Sequence, residues 1–154
     1  MTPLTYLFVP GHRPERFAKA LASAADRVIL DLEDAVAPAD KAQARSAVAA
    51  ALAGLPPADR ARVMVRINDA QSPWHEEDLR WLAGQGLCEV MLSKAEGATQ
   101  VAAVRACLPP EGRVMPLVET VRGVAALPEL AGAAGVSRLA FGSASRRCAS
   151  ASLA

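Results

Sequence analysis

The sequence lacks a long apolar run and has few aromatic residues. Aromatics make up 4% of the 154 residues, so small and aliphatic side chains dominate the 52% hydrophobic fraction. The apolar stretches, such as residues 6–9 and 28–30, are too short to cross a bilayer. The N-terminus also lacks the basic, apolar and small-residue regions of a secretory signal. We therefore expect a cytoplasmic protein that does not insert into a membrane.

Cysteine is scarce, and neither sign of charge dominates. Cys88, Cys107 and Cys148 form no CxxC pair and have no metal-ligand spacing with His12 or His75. This excludes a disulfide framework, so Cys88 and Cys107 are expected to be small core residues. The formal net charge is +1, with both signs mixed along the chain. That pattern excludes an electrostatic surface for nucleic acid or an anionic membrane.

The chain does contain a regular alternation of short β-type runs with helical stretches. Six strands are predicted, at residues 4–9, 27–32, 62–67, 87–92, 113–118 and 138–141. The fifth run is retained although Pro116 removes a ladder donor. Alternation of this kind implies parallel strands joined by right-handed crossovers. We predict an α/β fold with sequential strand order, an incomplete (β/α) barrel over residues 1–143. Residues 144–154 are predicted to be an irregular Ala/Ser-rich tail.

Helical spacing predicts the segments between the strands. The first helix should turn Phe17, Leu21 and Ala24 towards the sheet, and the second should begin at Pro38. Three further helices are predicted at residues 74–83, 98–107 and 121–130. Helices of this kind cover a parallel sheet, whose strands are accordingly apolar on both faces.

Charged and amide side chains gather where the predicted strands end. They are Asp31, Glu33 and Asp34 on strand two, Arg66 and Asn68 on strand three, Lys94 on strand four and Glu119 on strand five. Ligand sites in parallel barrels and doubly wound sheets lie at these carboxyl ends. Period-2 alternation places Asp31 with Glu33, and Arg66 with Asn68, on one side of their strands. The residues are candidates for a functional site, and a structural ion-pair network is the alternative.

Other motifs restrict the chemistry. The sequence has no nucleophile elbow, phosphate-binding loop or dinucleotide glycine fingerprint. Lys94 is expected to be a supporting ion-pair partner rather than a Schiff-base nucleophile. His12 follows a turn and His75 opens a helix, so capping or solvent exposure is expected for both.

Several ordered stretches carry a family resemblance. Residues 8–17, 28–36, 65–68, 94–96, 116–123 and 139–143 resemble, in order and spacing, the citrate lyase β-subunit-like proteins of the HpcH/HpaI aldolase superfamily. The resemblance covers about residues 3–143. It implies a TIM barrel, of which this chain holds about six of eight βα units. It also implies a Mg²⁺-dependent carbon–carbon lyase that cleaves citryl-, malyl- or citramalyl-CoA to an acyl-CoA and a keto acid, and that forms homo-oligomers.

The resemblance also implies roles for individual residues. Glu119 is a metal ligand, Arg66 grips the substrate, and both are catalytic. Arg13 and Arg16 contact the CoA phosphates or the acid, with surface exposure as the alternative. The second metal ligand of the family is an aspartate, and Ser145 stands at that position here. We expect that the family sequence is lost near residue 144 and that the metal site is incomplete.

Two other interpretations stay open. One is a catalytically inactive remnant of a barrel. The other is an open α/β module that binds an acidic small molecule without chemistry. Turnover of a CoA thioester separates the lyase from both.

Overall fold

The computed structural model describes residues 5–142, so the predicted tail and Ser145 lie outside the described residues. The strands are β1 Tyr6–Pro10, β2 Arg27–Asp31, β3 Val63–Ile67, β4 Glu89–Leu92, β5 Arg113–Val118 and β6 Ala140–Phe141. The helices are α1 Phe17–Leu21, α2 Lys41–Gly54, α3 Pro57–Arg60, α4 His75–Leu82, α5 Ala98–Ala106, α6 Val121–Ala125 and α7 Leu127–Gly132, with 3-10 turns at Pro14–Arg16 and Pro38–Asp40. None of these helices is long and apolar enough to cross a bilayer.

The six strands form one parallel sheet in chain order. Each strand pairs with the next, from β1 to β6. A doubly wound sheet would place the first strand inside the sheet, whereas here β1 and β6 are the edges. The predicted sequential order is therefore confirmed.

The sheet is buried on both faces by two separate sets of side chains. One face packs against the helices through a large aliphatic core that includes Val28, Leu30 and Val65. The other face, called the inner face below, carries Ile29, Met64, Met91, Met115 and Leu117, with Tyr6 and Ala140 at its margins. Alternate residues of a strand point to opposite faces, so the inner face continues into the polar residues at the strand ends.

Two predictions in the second half of the chain involve proline: the fifth strand agrees with the structure, and the last helix does not. Pro116 lies inside β5, paired with Leu92 and buried, so that strand is confirmed. The helix predicted over residues 121–130 is instead two helices, α6 and α7, which meet at Ala126. Pro128 has no N–H to bond the carbonyl of Val124, and its ring would clash with that carbonyl in a continuous helix, so the helix breaks and restarts with Pro128 in its first turn.

Three predictions of core positions are wrong or only partly right. Ala24 lies beyond α1 and is exposed. The hydroxyl of Ser23 donates to the carbonyl of Ala20 at 2.6 Å, which favours a turn over another helical residue. Cys88 is exposed in the connection before β4, and Cys107 at the end of α5 is partly buried.

Both sheet edges expose large apolar side chains, which predicts association. Leu7 and Phe8 on β1 are 38% and 44% exposed, while Phe141 on β6 and the neighbouring Val121 are 67% and 87% exposed. Unpaired edges attract other strands, and leaving a few hundred Å² of apolar surface in water costs several kcal/mol at about 25 cal/mol per Å². We expect the chain to self-associate or to bind a hydrophobic dye. Sedimentation velocity at several concentrations measures the first, and dye fluorescence measures the second.

A surface variant makes the association test specific. Replacing Val121 and Phe141 together by serine should reduce both association and dye binding, whereas Ala24→Ser, at another exposed position, should not. A monodisperse parent chain with a sharp melting transition and no dye binding would contradict the expectation.

Candidate functional site

Arg66 on β3 binds Asp31 on β2 across the inner face. The two residues are register partners, and Arg66 Nε and Nη2 donate to the two Asp31 carboxylate oxygens at 2.7 and 2.5 Å. A two-pronged contact of this kind fixes the plane of the guanidinium. The side chains are 12% and 1% exposed, so solvent screens the pair little.

Glu33 extends this contact to Lys94 at the end of β4. Arg66 Nη1 lies 3.3 Å from Glu33 Oε2, and Lys94 Nζ donates to Glu33 Oε1. Lys94 Nζ also lies 3.7 Å from Asp34 and 3.8 Å from Asp69. Asp31, Glu33, Arg66 and Lys94 are called the inner cluster below. It joins the carboxyl ends of β2, β3 and β4.

The inner cluster keeps its cations charged. Burial acts to lower the pKa of Arg66, but the hydrogen bond to Asp31 and the charges of Asp31 and Glu33 outweigh it and raise that pKa. Burial likewise acts to lower the pKa of Lys94, but the hydrogen bond to Glu33 and the charge of Glu33 outweigh it and raise that pKa. Burial raises the pKa of Glu33 against the pull of both cations. A cation whose folded pKa is raised stabilises the fold fully below its unfolded pKa. Arg66 and Lys94 therefore lose their contributions only in strongly alkaline solution.

The backbone of Lys94 connects the inner cluster to Glu119. Its N–H donates to Glu119 Oε1 at 3.2 Å, and its φ of 45° lies in the left-handed region that side chains rarely adopt. The other carboxylate oxygen of Glu119 faces Gly142, where an added Cβ would lie 2.9 Å from Oε2. The absence of a side chain at position 142 thus leaves space beside a half-buried carboxylate.

A second buried polar cluster lies on the helix side of the sheet. Asn68 accepts from Lys41 at 2.7 Å and donates to Asp78 at 2.7 Å, and Asp78 accepts from Arg45 at 2.9 Å. His75 is not exposed as expected: it is 5% exposed, with Nδ1 2.9 Å from the Asn68 carbonyl. These five residues are called the helix-side cluster. Because β3 ends one residue before Asn68, strand alternation does not extend to it, and Asn68 does not share a side with Arg66.

The sequence contained a signal for the helix-side cluster that the prediction missed. Lys41 and Arg45 lie on the same face of α2 as Val48 and Leu52, and all four are buried. Charged residues are almost never fully buried unless paired, so a basic pair on an apolar helix face indicates buried partners. The partner Asp78 lies on α4, and sequence spacing alone does not place it there.

Arg13 and Arg16 lie outside both clusters. Both residues are exposed. Arg13 pairs with the neighbouring Glu15 at 2.6 Å, and Arg16 lines a cleft along β1 together with Lys19. The structure therefore does not bring these two arginines to the inner cluster.

Glu119 is a candidate cation ligand among the described carboxylates. Among residues 5–142 no group of three or more histidine, cysteine, aspartate or glutamate side chains is arranged to hold a metal ion. Asp31 and Glu33 are engaged by Arg66 and Lys94, whereas one oxygen of Glu119 faces the space at Gly142. Mg²⁺ is often held by one or two carboxylates together with water and substrate oxygens. Glu119 has the chemistry of one member of such a ligand set.

Comparison with known proteins identifies the family. The model of the HpcH/HpaI aldolase/citrate lyase family matches residues 4–145. The chain belongs to this family. The family membership predicted from the ordered stretches is thereby confirmed.

Two similar curated proteins indicate the reaction class of the relatives. A citrate lyase subunit beta-like protein from Mycobacterium tuberculosis is 48% identical over 83% of this chain. An L-malyl-CoA/beta-methylmalyl-CoA lyase from Cereibacter sphaeroides is 42% identical over 81% of this chain. The chain spans 43% of the length of each of these relatives.

A solved HpcH/HpaI-type structure supports the fold assignment. The citrate lyase beta subunit of M. tuberculosis, complexed with oxaloacetate and magnesium, superposes with a TM-score of 0.75 at 44% identity. The match covers 88% of this chain and 56% of that one. The predicted incomplete TIM-type barrel is confirmed, and the inner face lines the interior of that half-barrel.

Two substitutions at Lys94 separate the contribution of its ammonium group to stability from the cost of its left-handed backbone. Lys94→Met removes a partner of the buried Glu33 carboxylate and should cost about 1–2 kcal/mol, allowing for the partial exposure of Lys94. Lys94→Gly also removes the ammonium but relieves the left-handed strain, so it should be about 1 kcal/mol more stable than Lys94→Met. Urea unfolding measures both. A glycine variant less stable than the methionine variant would show that the φ of Lys94 stores no strain.

Proposed function

We propose that the chain carries the amino-terminal part of the site of a Mg²⁺-dependent carbon–carbon lyase. Its substrate is a β-hydroxyacyl-CoA, such as citryl-, malyl- or citramalyl-CoA, and its products are an acyl-CoA and a keto acid. The observation that carries the proposal is Arg66, held in plane by Asp31 and Glu33 on the inner face, with Glu119 joined to the same cluster through Lys94. The names of the two relatives support the reaction class.

Arg66 is proposed to bind the carboxylate or developing oxyanion of the keto-acid part. Asp31 uses the Nε and Nη2 edge of the guanidinium, and Glu33 lies beside Nη1. Donors on the outer Nη1 and Nη2 edge are left to grip a carboxylate in the planar geometry that arginine favours. A guanidinium that is already oriented costs no reorganisation when charge develops next to it.

Glu119 is proposed to hold Mg²⁺. When bound, the ion would neutralise the negative charge that develops on substrate oxygens as the carbon–carbon bond breaks. The electron pair of that bond passes to the carbon next to the thioester and forms an enolate, and the β-hydroxyl loses its proton as the keto group forms. One proton is then added to the enolate carbon to give the acyl-CoA, so that no proton is gained or lost overall. Asp31, Glu33, Asp34 and Lys94 are proposed as the supporting residues that keep Arg66 and Glu119 in place.

Arg13 and Arg16 are proposed to meet the phosphates of CoA. Both are exposed near the carboxyl end of β1, and the contact of Arg13 with Glu15 is a surface ion pair that an anionic group can displace. A cytoplasmic location and a homo-oligomeric state stay predictions.

Ligand binding by this chain tests the proposal. Calorimetric titration with oxaloacetate in the presence of Mg²⁺ should give measurable binding that Arg66→Met removes. Arg80→Met is the control, because Arg80 is exposed on α4 and bonds the backbone of its own helix. Equal binding by the parent and Arg66→Met would exclude Arg66 as the acid-binding group. Binding without turnover in any longer form would favour a binding module.

A further inference from the structure

The ammonium group of Lys41 is buried behind the inner cluster. Lys41 is the first residue of α2 and is 4% exposed. Its Nζ donates to the carbonyl oxygens of Leu32 and Glu33 and to Asn68 Oδ1, each at 2.7 Å. The three acceptors match the three donors of an ammonium, and all are carbonyl or amide oxygens rather than carboxylates.

Packing alone does not explain a charge at this position. Transfer of an ammonium from water to the interior is costly, and a buried charge is often replaceable by an apolar side chain without loss of stability. Burial lowers the pKa of Lys41, although the charges of Glu33 and Asp31 offset part of that effect. The ring of Trp74 covers the ammonium, with its centroid 5.0 Å from Nζ. The position is thus built around a cation.

The two carbonyls belong to peptide groups whose N–H groups bind the inner cluster. In a trans peptide the C=O and N–H point in opposite directions, and none of the described peptide bonds is cis. The Leu32 carbonyl shares its peptide group with the N–H of Glu33, which donates to Asp31 Oδ1 at 2.8 Å. The Glu33 carbonyl shares its peptide group with the N–H of Asp34, which donates to Glu33 Oε2 at 2.9 Å. Lys41 therefore holds one side of both peptide groups, sharing the Leu32 carbonyl with Asn68 Nδ2 at 3.0 Å, and the carboxylates that bind Arg66 hold the other side.

We infer that Lys41 is a positioning residue for Arg66, acting through these two peptide groups and the carboxylates of Asp31 and Glu33. A cation on a carbonyl fixes the orientation of the peptide group, and it polarises the N–H so that this group becomes a stronger donor. Both effects hold the two carboxylates in the geometry that Arg66 needs. The consequence for a substrate rests on the proposed function, whereas the effect on Arg66 itself does not.

The guanidinium of Arg66 gives a direct measurement. In the ¹⁵N-labelled full chain, the Arg66 Nε–H signal, assigned by its loss in Arg66→Lys, reports the hydrogen exchange of the bond to Asp31. We expect Lys41→Met to accelerate that exchange by about ten-fold or more, equivalent to about 1.4 kcal/mol, while the amide spectrum stays that of a folded protein. Oxaloacetate affinity should fall in parallel.

Arg45→Met is the matched control. Arg45 is a second buried cation on the same face of α2. It binds Asp78 and Glu77 and reaches the Leu32 carbonyl only indirectly, through Asp78 and Asn68. It should leave the exchange of Arg66 close to that of the parent. If Lys41→Met does not fold, Lys41→Gln, which retains donors for the carbonyls, should give a smaller acceleration.

Two results would overturn the inference: unchanged Arg66 exchange in the Lys41 variants, or an equal acceleration in Arg45→Met. Absence of oxaloacetate binding by the parent chain would count against the proposed function alone, since the exchange is measured on the free protein.

Discussion

Replacing Arg66 by methionine is expected to lower the free energy of unfolding by about 3–5 kcal/mol, because it leaves buried carboxylates without their partner. Asp31 and Glu33 are 1% and 4% exposed, so solvent stabilises their charges little. Lys94 still reaches Glu33, but Asp31 keeps only backbone donors. Chemical unfolding followed by circular dichroism gives the difference.

A second substitution tests the cause of that loss. Asp31→Asn in the Arg66→Met background removes the unpaired charge and should recover a large part of the lost stability. Arg80→Met, an exposed control, should stay within about 0.5 kcal/mol of the parent. A loss below about 1 kcal/mol in Arg66→Met would show that the inner cluster is open to water and that Arg66 is not held as described.

Mg²⁺ binding should depend on more chain than residues 5–142 contain. Glu119 supplies one carboxylate, and serine at position 145 cannot replace the charge of the aspartate expected there. We expect weak Mg²⁺ binding by this chain and no recovery in Ser145→Asp, because a ligand must be held within about half an ångström of its productive position. A chimera that continues after Gly142 into the remaining part of the 48% identical relative should bind Mg²⁺ at least about 100-fold more tightly.

Glu119→Gln in the chimera should remove that gain, since the amide lacks the charge that a hard cation requires. Thr99→Ser, at an exposed position on α5, serves as the control. Tight Mg²⁺ binding by Ser145→Asp alone would contradict the expectation and show that the described half-barrel suffices to build the metal site.

Local patterns were sufficient to predict the strands and the gathering of Asp31, Glu33 and Arg66 at the strand ends. Strand alternation needs only the period of two and the observation that charged residues follow each apolar run. The same rule failed for Asn68, because β3 ends at Ile67 and the side chain beyond it is free to turn towards the helices. Strand alternation predicts the side of a residue only within the strand itself.

The features of the site that the sequence did not predict depend on partners that are distant in the chain or on tertiary packing. The buried ammonium of Lys41 depends on carbonyls that lie 8 and 9 residues earlier and on Asn68, 27 residues later. The link between Lys94 and Glu119 depends on a left-handed backbone that lysine rarely adopts. Both are consequences of tertiary packing. Periodicity on α2 indicates that Lys41 has buried partners but does not identify them, and propensity does not predict the φ of Lys94.

Release of keto acid from a CoA thioester tests the central claim most directly. The chimera would be incubated with malyl-CoA, citryl-CoA and citramalyl-CoA, with and without Mg²⁺, while keto acid and free CoA thiol are measured separately. We expect Mg²⁺-dependent keto-acid release without free thiol, lowered at least about 100-fold by Arg66→Lys or Glu119→Gln. Release of free thiol without keto acid would show hydrolysis instead of carbon–carbon cleavage, and keto-acid release that Arg66→Lys leaves unchanged would show that the inner cluster is not the site.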